Sequence, residues 1–516
     1  MQSYLDIFKQ LCTIPRPSHK EKAVADFLCQ FAEEHHLSYR RNENNCVVIE
    51  SPATPGYEDK EPIVMLNHMD MVCVAEEGYA VPGPVTPIEY DEEGERWMRA
   101  DHTSLGADNG IGLSIALSIL SDDTLPHPKL EVLTTTCEET DMSGAANMAN
   151  DFFKGKRILN IDSEAYNEIT VASAGAHIQV AHLPYKRIAM PEGYVALSVN
   201  VSGGKGGHSG VDIGKGRANA IKILCNLLLV AIRQANIKLY IINIKGGQAY
   251  SAIPGEAQAK ICIPKQDIDA FNTLIGQCNA AIEKQYWTPS QPPRGEEKGT
   301  DPDVKVTVEP AVWHSSVINE EGTHLILASV NGIPVGPITL REDGNVETSN
   351  NIGIIDTEKN EELGMRNEEL RVRNDRKGRK STPNSSFQTP HCLISSHTRS
   401  FSTQAMDELA DNISKIFTLT GATVDTIMHV SPWEEDMHHP WLSSVEDVFQ
   451  DVLGFKPTPV SMHFALEAGY LVEKFPEIHI ASIGPRIMYP HSPNEKVSLT
   501  TADNIMKVVR EIVVRG

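Results

Sequence analysis

The sequence predicts an α/β protein: a mixed sheet sandwiched by helices, with an α+β domain inserted into it. Three observations carry this. First, apolar runs such as Pro62-Ile63-Val64-Met65-Leu66-Asn67 suit strands buried on both faces, and up to Asp162 such runs alternate with helical segments. Second, from Tyr194 the pattern turns to strict alternation, the mark of a strand with one wet face, before helix and apolar strand return after Trp441. Third, 516 residues exceed what a single core serves. The expected division is 1–185 and 433–516 for the first domain and 186–432 for the inserted one.

Taken in order, the chain opens with helix, turn and helix over residues 1–40. Pro15-Arg16-Pro17 breaks it, and Ser18 with Glu21 three residues on has capping-box spacing. Cys46–Ile49 reads as a short strand, and the run from Pro62 ends in His68-Met69-Asp70. A polar, Pro/Gly-rich stretch follows to about Arg99, with no element assigned. Gly106-Ala107-Asp108-Asn109-Gly110 opens a helix over Ile111–Leu120; next comes a strand closing at Glu138-Glu139, then one from Arg157 to Asp162. Beyond Tyr194–Val201, a Gly-rich turn leads to His208, and Arg217–Ala235 is an amphipathic helix. Strands at Lys238–Lys245 and Gln258–Pro264, a helix at Lys265–Gln285, and strands near Lys305–Glu309 and Asn345–Ile355 follow. His391–Ser402, a helix at Ala405–Thr418 and a strand at Thr423–Val430 close the inserted layer. A helix at Trp441–Leu453, a strand at Ile478–Ile483 and a helix at Thr500–Val514 complete the first domain. Residues 357–390 stand apart: Asn360–Arg366 is echoed by Asn367–Arg373, and the stretch is charged with no apolar stripe, so it reads as an exposed insertion.

Composition narrows the function. The net charge of -23 speaks against nucleic acid or an anionic membrane as partner. Nine scattered cysteines without a Cys-x-x-Cys pair read as reduced thiols, so a cytoplasmic location is expected. The N-terminus has no signal-peptide pattern, and no apolar run reaches membrane-spanning length.

The chemistry-bearing residues close apolar runs. They are His68-Met69-Asp70, Asp108 in its Gly-flanked turn, Glu138-Glu139, Asp162-Ser163-Glu164, and His491 in Pro490-His491-Ser492-Pro493. Two side chains two apart on an extended chain share a face, so Asp70 can fix the His68 ring. Two adjacent acids at a strand end can serve two partners, one a metal and one a proton. In an open α/β sheet, strand ends open into one ligand-binding crevice. Each motif alone is ordinary: a surface pair, a turn former, a cap. Their order is what informs. The pairs His35-His36 and His438-His439 are expected at the surface, and His19 and His102 in loops.

As a set these stretches resemble the di-zinc metallopeptidase family that includes carnosinases, aminoacylases and bacterial carboxypeptidases, and its dipeptidase branch in particular. Gly206-Gly207-His208-Ser209-Gly210, Ala465-Leu466-Glu467-Ala468-Gly469 and Ile483-Gly484-Pro485 add to the likeness, which spans the chain except for the insertion. The resemblance implies two Zn²⁺ ions per subunit, with Co²⁺ or Mn²⁺ as substitutes. His68 and Asp162 would bind one, Glu139 and His491 the other, and Asp108 both. Asp70 would orient His68, Glu138 would be the general base, and a cis peptide would follow Asp108. The inserted domain would be a lid that mediates a homodimer, with His208 reaching a reacting carbonyl. In many relatives that histidine comes from the partner subunit.

The implied reaction is hydrolysis of unblocked dipeptides, of Xaa-His type or broad. Imidazole and carboxylate suit zinc, which acidifies water. Glu138 would take a proton and return it to the leaving amine. Arg399 resembles the lid arginine that grips a substrate carboxylate, for which a fork of donors is suited. Glu467 matches an acid near the substrate amine. Two departures bear on substrate preference: Tyr250-Ser251 stands where the family more often has Arg-Asn, and His463-Phe464-Ala465 where it has His-Ala-Gly. Two other functions remain open: an N-acyl amino acid amidohydrolase of the same fold, and a non-enzymatic zinc-containing interaction protein.

Overall fold

A computed structural model describes all residues except 82, 288–299, 314 and 359–389. The insertion expected over 357–390 therefore lies, from 359 to 389, outside the described residues. The chain forms two compact units. The first is Met1–Ser173 with Trp433–Met462 and Leu466–Gly516; the second is Ala174–Pro432 with His463–Ala465. The α/β class and the inserted second unit are as expected.

The first unit is built on a nine-stranded mixed sheet. Ile63–His68 pairs in parallel with Leu130–Thr135 on one side and Arg157–Asn160 on the other, and His479–Ser482 runs parallel to Arg157–Asn160. Ile63–His68 and Leu130–Thr135 are buried along their whole length, which is why their sequences show no alternation. The helix Ala107–Leu120 is likewise buried on all sides except at Asp108. It packs in one core with Tyr4–Cys12, Pro440–Leu453 and Leu499–Arg515, through residues such as Phe8, Leu113, Phe449 and Val509. Gly112 makes this packing possible, because a Cβ there would collide with the Ile161 carbonyl at the end of a neighbouring strand.

The second unit carries a ten-stranded sheet. Tyr194–Ser202 pairs antiparallel with Ala257–Pro264 and with Lys305–Ala311. His391–Ser400 pairs with Gly175–Pro184, which in turn pairs with Thr423–Val430. The helices Ala220–Arg233 and Thr403–Leu419 cover one face through Leu224, Leu228, Ile413 and Phe417.

Several expectations need correction. Ser18 and Glu21 do not form a capping box: the helix starts at Lys22 without a side-chain cap, and both side chains are spent on other partners described below. The stretch before Arg99 holds a hairpin, Pro87–Glu92 with Glu95–Ala100, whose strands are charged on exposed faces and so lack an apolar signature. The helix Glu320–Gly332 was not expected; Asn319 caps it through Gly322. The interval Asn345–Ile355 is two strands, Val346–Asn351 and Ile355–Asp356, paired with different stretches of His391–Ser400. Glu138 and Glu139 lie in a turn beyond the strand Leu130–Thr135, so strand alternation is not what separates their roles.

Candidate metal centre and substrate-binding residues

Four parallel strands deliver the candidate ligands at their carboxyl ends. Ile63–His68 ends on His68 itself, Leu130–Thr135 leads to Glu138 and Glu139, and Arg157–Asn160 leads to Asp162. The loop after His479–Ser482 carries His491. Asp108 comes from the first turn of the buried helix, and the Asp108–Asn109 peptide is cis, as the resemblance implies.

These residues converge as two groups that share Asp108. In the first, His68 Nε2 lies 3.0 Å from Asp108 Oδ1 and 3.5 Å from Asp162 Oδ1. In the second, His491 Nε2 lies 3.1 Å from Asp108 Oδ2 and 2.9 Å from Glu139 Oε2. All ligand atoms within each group lie within 4.8 Å of one another. Asp70 is fully buried, its Oδ1 3.5 Å from His68 Nδ1. The same carboxylate accepts the backbone amides of Glu138 and Glu139, each at 3.2 Å. Asp70 thus holds both the imidazole and the turn that carries the two glutamates.

The electrostatics bear on what this cluster can hold. Burial, then the charges of Asp162 and Glu139 working against that of His68, push the Glu138 carboxyl well above its usual range. Burial and the Asp108 charge raise Glu139 to about 7, against the pull of His491. Asp162 is raised by burial. For Asp108, burial is outweighed by its hydrogen bonds to both histidines, which hold it low. Glu139 Oε1 is buried without a hydrogen-bond partner. Several carboxylates crowded into a desolvated space with an unused oxygen fit a cation, which would reverse the penalty on the charged forms. Imidazole nitrogen with carboxylate oxygen is a donor set that zinc-type ions accept.

Four positioning residues were not singled out from sequence. Glu495, itself buried, accepts the backbone amides of Leu105 at 2.8 Å, Gly106 at 2.9 Å, Ala107 at 2.8 Å and Asp108 at 3.3 Å. It fixes the turn that presents Asp108 and sits four residues after His491, so one loop steadies both. Arg16 is 1% exposed and donates to the carbonyls of Met69, Asp70 and Gly106. Ser18 donates to Asp70 Oδ2 at 2.7 Å. Glu21 accepts the amides of His19 and Cys137 and the Cys137 thiol, bracing the residue before Glu138. From sequence, Pro15-Arg16-Pro17 reads only as a break between helices, and Ser18 with Glu21 only as a capping box.

Glu467 also belongs to the first unit. It is 3% exposed, its Oε1 has no hydrogen-bond partner, and burial raises its carboxyl to about 8. It is a buried acid, not a helix-surface charge.

His208 and Arg399 lie in the second unit. His208 Nδ1 accepts the amides of Gly210 at 3.3 Å and Val211 at 3.2 Å, which places the ring proton on Nε2 as a donor. Arg399 is 3% exposed and bonds only the Ser209 hydroxyl, at 3.4 and 3.3 Å, with no ion pair among the described residues. Burial lowers it to about 9. A desolvated guanidinium without an anion is costly unless a ligand supplies one. The imidazoles of buried His397 and half-buried His463 are held below their ordinary values by desolvation and then by the Arg399 charge. Ser251 is engaged through its carbonyl, which accepts the Ser209 amide at 2.7 Å. Of the histidines set aside, His439 caps the helix Pro440–Leu453 and stacks on His479, and His102 bonds Glu76.

Comparison with known proteins gives the following. The family model described as Peptidase family M20/M25/M40 matches residues 64–515. The cytosol non-specific dipeptidase of Escherichia coli (strain K12) is 28% identical over 515 residues, which is 99% of this chain and 97% of that protein. The crystal structure of aminoacylhistidine dipeptidase from Vibrio alginolyticus matches with a TM-score of 0.76 at 28% identity, covering 99% of this chain and 96% of that one. The aminopeptidase PepT from Bacillus cereus ATCC 10987 shares the fold, with a TM-score of 0.55 at 14% identity over 99% of this chain and 97% of that one.

Proposed function

Because the chain belongs to the peptidase family M20/M25/M40, we propose that it is a metallopeptidase that hydrolyses unblocked dipeptides with two zinc ions bound. The observation that carries this is the pair of histidine–carboxylate groups sharing Asp108, with Glu138 beside them and outside both. His68 and Asp162 would hold one ion and Glu139 and His491 the other, with Asp108 common to both groups. Such ions would supply an acidified water and a polarised scissile carbonyl.

The chain's own groups do the rest. Glu138 takes the proton from the attacking water, as a carboxylate beside the two ligand groups and outside both is free to do. The same carboxyl delivers that proton to the leaving amine. Asp70 keeps His68 in one tautomer and keeps the Glu138 backbone in place. His208 donates Nε2–H to the oxygen that becomes negative, a contact worth about 10²–10³ in rate for typical donors of this kind. Arg399 takes the substrate's terminal carboxylate, and Glu467 its free amine. These two requirements together select dipeptides with both ends free over N-acyl amino acids. Two of the three named relatives are dipeptidases, one of them of aminoacylhistidine, which supports this substrate class. The cytosolic relative supports a cytoplasmic location; no described helix is long and apolar enough to cross a membrane. The second unit is the proposed lid and dimer-forming domain. Its edge strand Gly336–Leu340, with Ile338 and Leu340 exposed, supports pairing with a second copy.

The test is a panel of free dipeptides, Xaa-His included, against their N-acetylated forms. Free dipeptides are expected to be cleaved and the acetylated ones not. Glu138→Gln is expected to lower kcat about 10²–10⁴-fold while zinc content is unchanged. A Glu138→Gln enzyme with normal turnover removes the role given to Glu138. Preferred hydrolysis of the N-acetylated substrates replaces the dipeptidase reading with the amidohydrolase one.

A further inference from the structure

We propose that His177, Asp407 and His429 form a separate binding site for a zinc-type divalent ion within the second unit. It does not depend on the peptidase reading. His177 lies on the strand Gly175–Pro184 and His429 on Thr423–Val430, directly opposite each other in antiparallel register. Cross-strand partners project from the same face. On that face the helix Thr403–Leu419 packs, since Ala181 and Leu183 share a core with Ile413 and Phe417 of the helix. Its second turn brings Asp407 over the two imidazoles.

The spacing is that of a ligand set. Asp407 Oδ1 lies 2.9 Å from His429 Nε2 and 3.7 Å from His177 Nδ1. Ligands about 2.0–2.1 Å from a tetrahedral zinc ion lie about 3.3 Å apart, which these two distances bracket. The candidate peptidase centre shows the same range, 2.9 Å for His491 to Glu139 and 3.5 Å for His68 to Asp162. The rings meet edge to face, 5.1 Å between centroids at 81°, so their nitrogens are free of stacking and turn toward the carboxylate.

A second observation points to a ligand. His177 Nδ1 is buried and makes no hydrogen bond. An ordinary histidine–carboxylate pair accounts for His429 and Asp407 and leaves that nitrogen with a 3.7 Å approach to the same carboxylate, beyond hydrogen-bond reach. The other ring nitrogen, Nε2, is held by the Thr426 hydroxyl at 3.3 Å, the outer contact that orients a metal-binding imidazole. Burial and the neighbouring His429 lower the proton affinity of His177. Asp407 and His429 are 45% and 36% exposed, so an ion enters from solvent. Asp411, one turn beyond Asp407, also exerts its charge on His177. Two other groups lack these features. His439 and His479 stack nearly parallel, 3.3 Å between centroids at 12°, and their nitrogens are engaged, His479 Nδ1 with Glu435 at 2.7 Å and His439 Nδ1 with the Trp441 amide; the Cys137 thiol near His19 and Asp141 is bonded to Glu21.

The test is zinc titration of the chelator-stripped full-length protein in competition with a chromophoric chelator, with metal counted after desalting. Asp407→Asn and His429→Gln, at part-exposed positions, are each expected to bind one zinc ion fewer per chain than the parent, with dipeptide hydrolysis unchanged. His491→Ala is expected to keep that ion. Equal zinc counts in the parent and both variants overturn the proposal. If Asp407→Asn lowers the count and His491→Ala does not, this site stands and the peptidase centre fails; the reverse result sinks this site alone.

Discussion

At the scale of single residues, buried carboxylates act here mainly through backbone amides. Glu495 accepts four successive N–H groups at the entrance to the Asp108 helix, where a negative charge is also favoured by the helix dipole. Glutamine in its place keeps one accepting oxygen and aims an NH₂ at amides that are themselves donors. Glu495→Gln is therefore expected to weaken zinc binding by about 10–100-fold, with Glu495→Asp recovering part of the loss. Chelator competition measures this directly, and an unchanged affinity would show that the Asp108 turn holds without it. The proposed ligands, which the fold brings together in two groups, could be read from the sequence because metal chemistry restricts their residue types and each closes an apolar run. Glu495, Arg16 and Glu21 could not. Their partners are main-chain atoms, which leave no residue-type signature, and Glu495 finds them 387 to 390 positions away.

At the scale of elements, the fit of the helix Ala107–Leu120 against the strand ends sets how much the centre tolerates. Alanine for glycine normally favours a helix by about 1 kcal/mol. At position 112 the added methyl meets the Ile161 carbonyl, next to Asp162, and the Asn109 side chain, which bonds both Ile161 and Asp162. Gly112→Ala is expected to destabilise the protein by about 1–3 kcal/mol, as overpacking does. It should also lower zinc affinity, since Asp108 and Asp162 are pushed apart. Denaturant midpoints for the metal-free protein separate the first effect from the second. Elements with strong periodicity were legible: the interval Thr423–Val430 was read with its observed bounds. The hairpin before Arg99 and the helix Glu320–Gly332 were not, because charged faces in one and polar residues among the apolar ones in the other blur the pattern.

At the scale of the whole molecule, acid should unsettle the second unit before the carboxylates of the surface titrate. His397 and His463 are neutral in the folded unit, His463 held down to about 4. Unfolded, each takes a proton near pH 6.5. Above that pH neither state is charged and these groups contribute nothing. Below it the unfolded chain binds protons that the folded one refuses, so stability falls as pH falls, until His463 titrates near 4. For His463 the loss between pH 7 and pH 5 is about 2 kcal/mol. His463→Gln is expected to flatten that part of the curve. The measurement is the melting temperature of the metal-free protein against pH, parent and variant side by side; parallel curves would mean that His463 is charged in the folded state. Removing zinc from the intact protein should abolish hydrolysis and restore it on reloading, which ties the activity to the bound ions.

The loop that holds His491 and Glu495 has one more consequence, for protein synthesis. A chain emerging from the ribosome displays His68, Asp108, Glu139 and Asp162 early. The histidine that completes the second group and the carboxylate that grips the Asp108 turn follow 383 and 387 residues behind Asp108. Until both have been made and have docked, a growing copy has neither the second group nor a steadied turn. The order in which the molecule is made therefore delays its own switching on until that late loop arrives.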